Sequence, residues 1–237
     1  MRNIILFLLI RQSFSLNTIR RDILSSLIYT PTFFMNNVNE NEIDNKKYFL
    51  NENLMDDKSH NIIQQDMNNI YFYSSVNQES CFQLSKRLID LDKTSQEFLI
   101  QYGVYSPPIN LHIQSEGGSL LHALYVTDVI KNLKTPVHTY IDGFAASAAT
   151  LISVVGDRRF ISKNSLMLIH QLSSINSGKY DKMEDEMENL DNIMKIVTEL
   201  YIKNTKIERE KLLEILKKDI WLESKTCLEY GLVDVIF

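Results

Sequence analysis

A chain of 237 residues, 44% of them hydrophobic, can enclose one sizeable core and carry tails beside it. Its formal net charge of −5 comes from interspersed acids and bases with no arginine-rich, aromatic-interleaved stripe, which argues against a nucleic-acid surface. Cys81 and Cys227 lie outside any C-x-x-C pair, and His60, His112, His122, His138 and His170 are scattered without H-E-x-x-H spacing. A disulfide framework, a metal and a nucleotide cofactor are therefore not expected, and neither a P-loop nor a G-x-G-x-x-G fingerprint occurs.

Residues 1–35 open with arginines at 2, 11, 20 and 21 and no acid before Asp22. Their apolar run, residues 4–10, is far shorter than the roughly 20 residues of a membrane span. A targeting segment is the expected reading, with a mitochondrial or plastid address and a cytoplasmic one otherwise. Residues 36–68 are rich in Asn, Asp and Glu without sustained periodicity, so a linker or arm is expected there. The folded domain is expected over residues 69–237.

Within it, residues 70–75 (IYFYSS) are aromatic and β-branched and predict a strand. Residues 78–93 carry Cys81, Leu84, Leu88 and Leu91 at helical spacing. Residues 109–114 alternate Ile109, Leu111 and Ile113 with polar neighbours, a half-buried strand. The turn SEGGS follows, and then a helix with Leu120, Leu124, Thr127 and Ile130 on one face. Residues 137–141 alternate again, Gly143 is expected to break the strand, and AASAATLISVV reads as a packed helix. RRFI and LMLIH predict short strands. A long helix from about Lys179 carries the seam Met183, Met187, Leu190, Met194, Val197 and Tyr201. A short helix over residues 208–217, a turn with Trp221, a helical turn and the strand LVDVI complete the chain. Strands alternating with helices predict an α/β domain.

On residue pattern alone, Ser147 reads first as a small packing residue and His170 as a satisfied histidine at a strand end, while Asp219 has rivals in Asp157 and in Asp142, which precedes a glycine and reads as a turn residue. Four segments taken together add to this. INLHIQSEGGSLLHALYVTDVI, GFAASAATLI, NSLMLIHQL and DIWLES…EYGLVDVI resemble, in order, the proteolytic subunit of the Clp protease, the ClpP family of serine peptidases. The resemblance covers roughly residues 69–237. It implies the ClpP/crotonase-like fold of repeated ββα units with a protruding handle helix. It also implies a catalytic set of Ser147 as nucleophile, His170 as general base and Asp219 as the acid that orients it. Gly118 and Ala148 would donate their backbone N–H groups to the oxyanion, and Gly117, Gly118 and Leu172 would line the substrate strand.

These residue types suit the chemistry. A serine hydroxyl attacks only when an imidazole takes its proton, and the imidazole needs a carboxylate to fix its tautomer. Gly118, lacking a Cβ, is expected to let substrate backbone approach. The resemblance further implies homo- or hetero-heptameric rings stacked as a tetradecamer, a Clp-type AAA+ ATPase unfoldase, and unfolded protein substrates. The long helix from Lys179 to Thr205 is the expected ring-to-ring contact. Two alternatives remain: a non-catalytic structural subunit of a mixed ring, and a crotonase-type acyl-CoA enzyme. Glu116 stands where the family commonly has proline, which bears on cleavage preference rather than on the chemistry.

Overall fold

The computed structural model describes residues 61–175 and 177–237. The expected targeting segment at residues 1–35 and most of the expected linker at 36–68 lie outside the described residues. The end of that linker corrects the expectation, since β1 (Ile62–Asp66) is a strand. It pairs antiparallel with β2 (Asn69–Tyr73), from Ile62↔Tyr73 to Asp66↔Asn69. Four of its five side chains are exposed. An edge strand held by its backbone ladder needs no apolar alternation, so the sequence pattern carried no trace of it.

β2 continues into a parallel sheet in the order β2, β3 (Ile109–Ser115), β4 (Val137–Ala146), β5 (Arg158–Ile161) and β8 (Val235–Ile236). The expected alternation holds in β3, where Ile109, Leu111 and Ile113 are buried and Asn110 and His112 are half-buried. The inward residues meet α1 (Gln78–Tyr102), α2 (Leu120–Asn132) and α3 (Ala148–Val154) in one core. α1 begins at a capping box between Asn77 and Ser80 and ends at left-handed Gly103. It extends past Lys93 because its last turns, with Phe98, Ile100 and Tyr102 exposed, have no buried face to announce them.

β4 departs most from expectation. Gly143 does not break it; the strand runs on to Ala146. β3 advances two residues, from Ile113 to Ser115, while β4 advances four, from Ile141 to Ala145. This bulge bends the strand, and Gly143 accommodates it with φ 91° and an N–H donated to Ser165 Oγ at 2.8 Å. Before the bulge β4 pairs with β5; after it, Phe144, Ala145 and Ala146 pair with β6 (Leu166–Leu168). β6 in turn pairs antiparallel with β7 (Trp221–Glu223), where a turn was expected. Three residues with one half-buried side chain show no period to read.

The sheet's other face carries stacked rings. His112 lies between Tyr71 and Tyr140, with centroids at 4.9 and 4.7 Å, and Tyr140 stacks on Phe160 at 4.5 Å. Asp142, one of the rival acids, sits in β4. It accepts the Tyr73 hydroxyl at 2.8 Å and lies 2.7 Å from His112 Nδ1. Burial and then the Asp142 carboxylate push the Tyr73 phenol upward.

α4 (Tyr180–Asn204) packs only through its second half: Val197, Thr198 and Tyr201 are buried, whereas Met183 and Met187 of the expected seam are 47% and 61% exposed. α5 (Arg209–Leu216) and α6 (Ser224–Glu229) lead to β8. Among the described residues no helix is long and apolar enough to cross a membrane.

Arg159 locks this end of the chain. Its guanidinium holds Asp234 at 2.6 and 3.0 Å, its own N–H donates to Asp234 at 2.9 Å, and it also donates to the carbonyl of Asn204. Burial pushes the Asp234 carboxyl up, but the Arg159 contacts outweigh it and hold it below the usual carboxylate range. A depressed carboxylate adds stability above the unfolded pKa of about 4 and loses it as pH falls through the folded value. Asp234→Asn should therefore lower stability by about 1–2 kcal/mol at neutral pH. Urea melts should show that gap narrowing at pH values below about 4.

Candidate active site

β4 ends on Ser147, whose backbone stands at φ 55° and ψ −128°. Only Met67 shares a positive φ among the described non-glycine residues. Such a conformation costs on the order of 1–3 kcal/mol and persists only where its surroundings enforce it. Here the Ser147 N–H donates to Leu168 O at 2.8 Å, as a continuation of the β4–β6 ladder. Its carbonyl accepts the N–H and the hydroxyl of Thr150 at 3.0 and 2.6 Å. The neighbours Ala145, Ala146, Ala148 and Ala149 are buried, so the turn is tight on every side. Ala148 opens α3, whose first N–H groups have no partner within the helix.

Two glycines complete the turn's surroundings. A Cβ on Gly117 would stand 2.6 Å from Ala146 O, 2.7 Å from Ser147 Cβ and 3.0 Å from Ala148 N. A Cβ on Gly118 would stand 2.3 Å from Val76 O. The chain is pinned there by Val76 N–H to Gly117 O and Ser119 N–H to Val76 O, both 2.7 Å. Gly118 is thus required by its own neighbour Val76, whereas the sequence reading tied it to substrate approach.

The remaining positions are set by pairing. Ala146 pairs with Leu168, and Leu168 pairs with Trp221. His170 lies two residues after Leu168 and Asp219 two residues before Trp221 on the antiparallel partner, so the ladder faces them toward each other. His170 Nδ1 and Asp219 Oδ1 are 3.4 Å apart. The Gln171 N–H, bonded to Leu216 O at 2.7 Å, fixes the backbone beside the imidazole. Ser147 and His170 line one cavity of about 280 Å³ together with Gly118 and Ala148. Among the described contacts, Ser147 Oγ and His170 share no hydrogen bond, and the Asp219 side chain is 83% exposed. The structure therefore gathers all three side chains at one place while leaving the serine–histidine contact unmade.

Apolar side chains close the cavity: Leu120, Leu151, Leu172, Val197 and Tyr201. Leu172 was singled out from sequence; Leu151, Val197 and Tyr201 were not assigned to the site, although Val197 and Tyr201 were placed on the α4 seam. The rival acids are engaged elsewhere. Asp157 accepts the Val137 N–H at 2.7 Å, at the opposite end of β4, and Asp142 is held by Tyr73 and His112. The thiols are poor candidates for nucleophiles. Both are buried, which pushes Cys81 upward and Cys227 up to about 12.

Comparison with known proteins agrees with this architecture. The model of the Clp protease family matches residues 51–237. The ATP-dependent Clp protease proteolytic subunit 2 of Treponema pallidum is 32% identical over 140 residues, covering 58% of this chain and 70% of the relative. Its namesake in Treponema denticola is 28% identical over 204 residues, covering 85% and 95%. The solved structure of a ClpP1 point mutant from Listeria monocytogenes superposes with a TM-score of 0.63 at 25% identity, covering 72% of this chain and 91% of that one. The expected ClpP-like fold is borne out.

The two kinds of glycine site predict different penalties. Gly117→Ala, which drives a methyl into the backbone around Ser147, should lower stability by about 2–4 kcal/mol. Gly103→Ala has nothing within 4 Å and should cost only about 1 kcal/mol through its positive φ. Thermal unfolding of the two variants side by side measures the difference.

Proposed function

The chain belongs to the Clp protease family, and on that premise we propose that it is a serine endopeptidase subunit hydrolysing peptide bonds of unfolded proteins within a Clp-type ring. The observation that supports this reading is the β4–β6–β7 pairing, with Ser147 and His170 lining one cavity beside Gly118 and Ala148, and Asp219 3.4 Å from His170 Nδ1.

Each group has a role its position supports. Ser147 Oγ attacks the scissile carbonyl as His170 accepts its proton. Asp219, on the Nδ1 side of the ring, holds the tautomer that leaves Nε2 free to act as base. The N–H groups of Gly118 and Ala148 face the oxygen that gains charge in the tetrahedral intermediate. His170 then returns the proton to the leaving amine, and water repeats the sequence on the acyl-enzyme. Substrate lies as an added strand between the Gly117–Gly118 segment and the chain at Leu172. The apolar part of the cavity wall, Leu120, Leu151, Leu172 and Val197, suits an uncharged, medium-sized side chain next to the scissile bond.

The open state of the site supports assembly as a condition of activity. Catalytic hydrogen bonds are commonly long before substrate or partners settle them. The exposed first half of α4, with Met183 and Met187, supports a contact between stacked heptameric rings. The names of the relatives support an ATP-dependent unfoldase as partner. The basic, acid-poor opening of the chain supports a mitochondrial or plastid address, with a cytoplasmic one otherwise.

The exposed Asp219 and the unmade Ser147–His170 bond favour one second reading, a structural subunit of a mixed ring whose triad never closes. A fluorophosphonate probe on the assembled complex separates the two. A working subunit takes label on Ser147, Ser147→Ala abolishes it and lowers kcat by at least about 10³, and Asp219→Asn lowers kcat by roughly 10² or more. An unlabelled Ser147 in an assembled ring that hydrolyses peptides through its other subunits would establish the structural role.

A further inference from the structure

The carbonyl of Ser147 is held by more than its own turn. Thr150, fully buried, donates its hydroxyl to Ser147 O at 2.6 Å, and the same Thr150 Oγ1 lies 2.6 Å from the Tyr201 hydroxyl. A threonine hydroxyl has one proton. With that proton on Ser147 O, Tyr201 is the donor and Thr150 Oγ1 its acceptor. The opposite arrangement would leave the buried Tyr201 proton without a hydrogen-bond acceptor among the described contacts, at a cost of about 1–3 kcal/mol. Tyr201 is 2% exposed, and burial alone pushes its phenol upward, so it stays protonated and able to donate. The result is one relay, from Tyr201 on α4 through Thr150 on α3 to the strained residue at the end of β4.

We propose that Tyr201 and Thr150 are positioning residues for the nucleophile: their hydroxyl relay holds the Ser147 carbonyl and so keeps the Ser147 side chain turned into the cavity. The proposal rests on the reading of Ser147 as nucleophile. A residue at φ 55° and ψ −128° relaxes unless its flanking peptide groups are fixed. The N–H side is fixed by β6. On the carbonyl side, the Thr150 N–H bond at 3.0 Å is the longer of two, and the hydroxyl bond at 2.6 Å is the one that reaches another element. The Tyr201 ring also lines the cavity, so the hydroxyl can be tested apart from the cavity wall by changes that keep shape.

The test uses the full chain in its assembled form, a fluorophosphonate probe, and a fluorogenic peptide with an apolar residue before the scissile bond. Tyr201→Phe and Thr150→Val each remove one hydroxyl and little volume. Each should slow labelling of Ser147 and lower kcat about 5- to 20-fold, with KM within about two-fold. The double variant should be no slower than the worse single one, because the two hydroxyls act as one unit. Thr150→Ser, which keeps the hydroxyl, should restore labelling to within two-fold of the parent. Parent and variants that label and turn over alike would overturn the relay while leaving Ser147 as nucleophile. Effects that multiply in the double variant, or a loss confined to melting temperature, would overturn it equally. A parent chain that takes no label at all would sink the peptidase reading, and the relay with it.

Discussion

The bulge in β4 is the constraint on which the site depends. Without the two residues gained between Ile141 and Ala145, β4 would offer a single line of partners along that edge. With them, the strand changes direction and gives its second half to β6 while β5 keeps its first. The candidate site hangs on that second half. Ser147 lies at the end of β4, His170 just past β6, and Asp219 just before β7. Three residues distant in sequence come to one end of the sheet because two short ladders share Leu168, which pairs with Ala146 on one side and Trp221 on the other.

Strain and small side chains are the complement of this arrangement. A turn as sharp as the one at Ser147 needs room on its inner side, and Gly117 with the neighbouring alanines leaves room for backbone alone. The same closeness that bars a methyl at Gly117 brings two elements from distant parts of the chain into one rigid rim. On the cavity's far wall, α4 contributes Val197 and Tyr201 from the half of the helix that packs. The half with Met183 and Met187 is exposed, so one helix both borders the cavity and presents methionines outward.

Elements with a buried face were legible in the sequence. β2, β3, α2 and α5 follow from alternation or helical spacing, since their burial comes from packing that their own pattern encodes. β1 and β7 were not legible because backbone pairing sustains them with few buried side chains. The run of β4 through Gly143 was misread because a glycine in a strand marks a break or a bulge by the same letter, and only the partner strand decides which. Of the site, Ser147, His170 and Asp219 were identifiable through family resemblance, not through pattern. The β6–β7 pairing joins a strand that was expected to residues read as a turn. The seam on α4 pointed to Tyr201 as a packed residue. Its hydroxyl's partner, 51 positions earlier in the chain, is a tertiary fact that no local window contains.

The two sheltered thiols have a practical consequence. Cys81 and Cys227 are both enclosed and both held in their protonated form. Maleimides and iodoacetamides need an accessible thiolate, so the native chain is a dark background toward them. A single cysteine placed on the outward half of α4 would then be the one bright position for a dye or spin label. The environment of that helix becomes readable without first removing either natural cysteine.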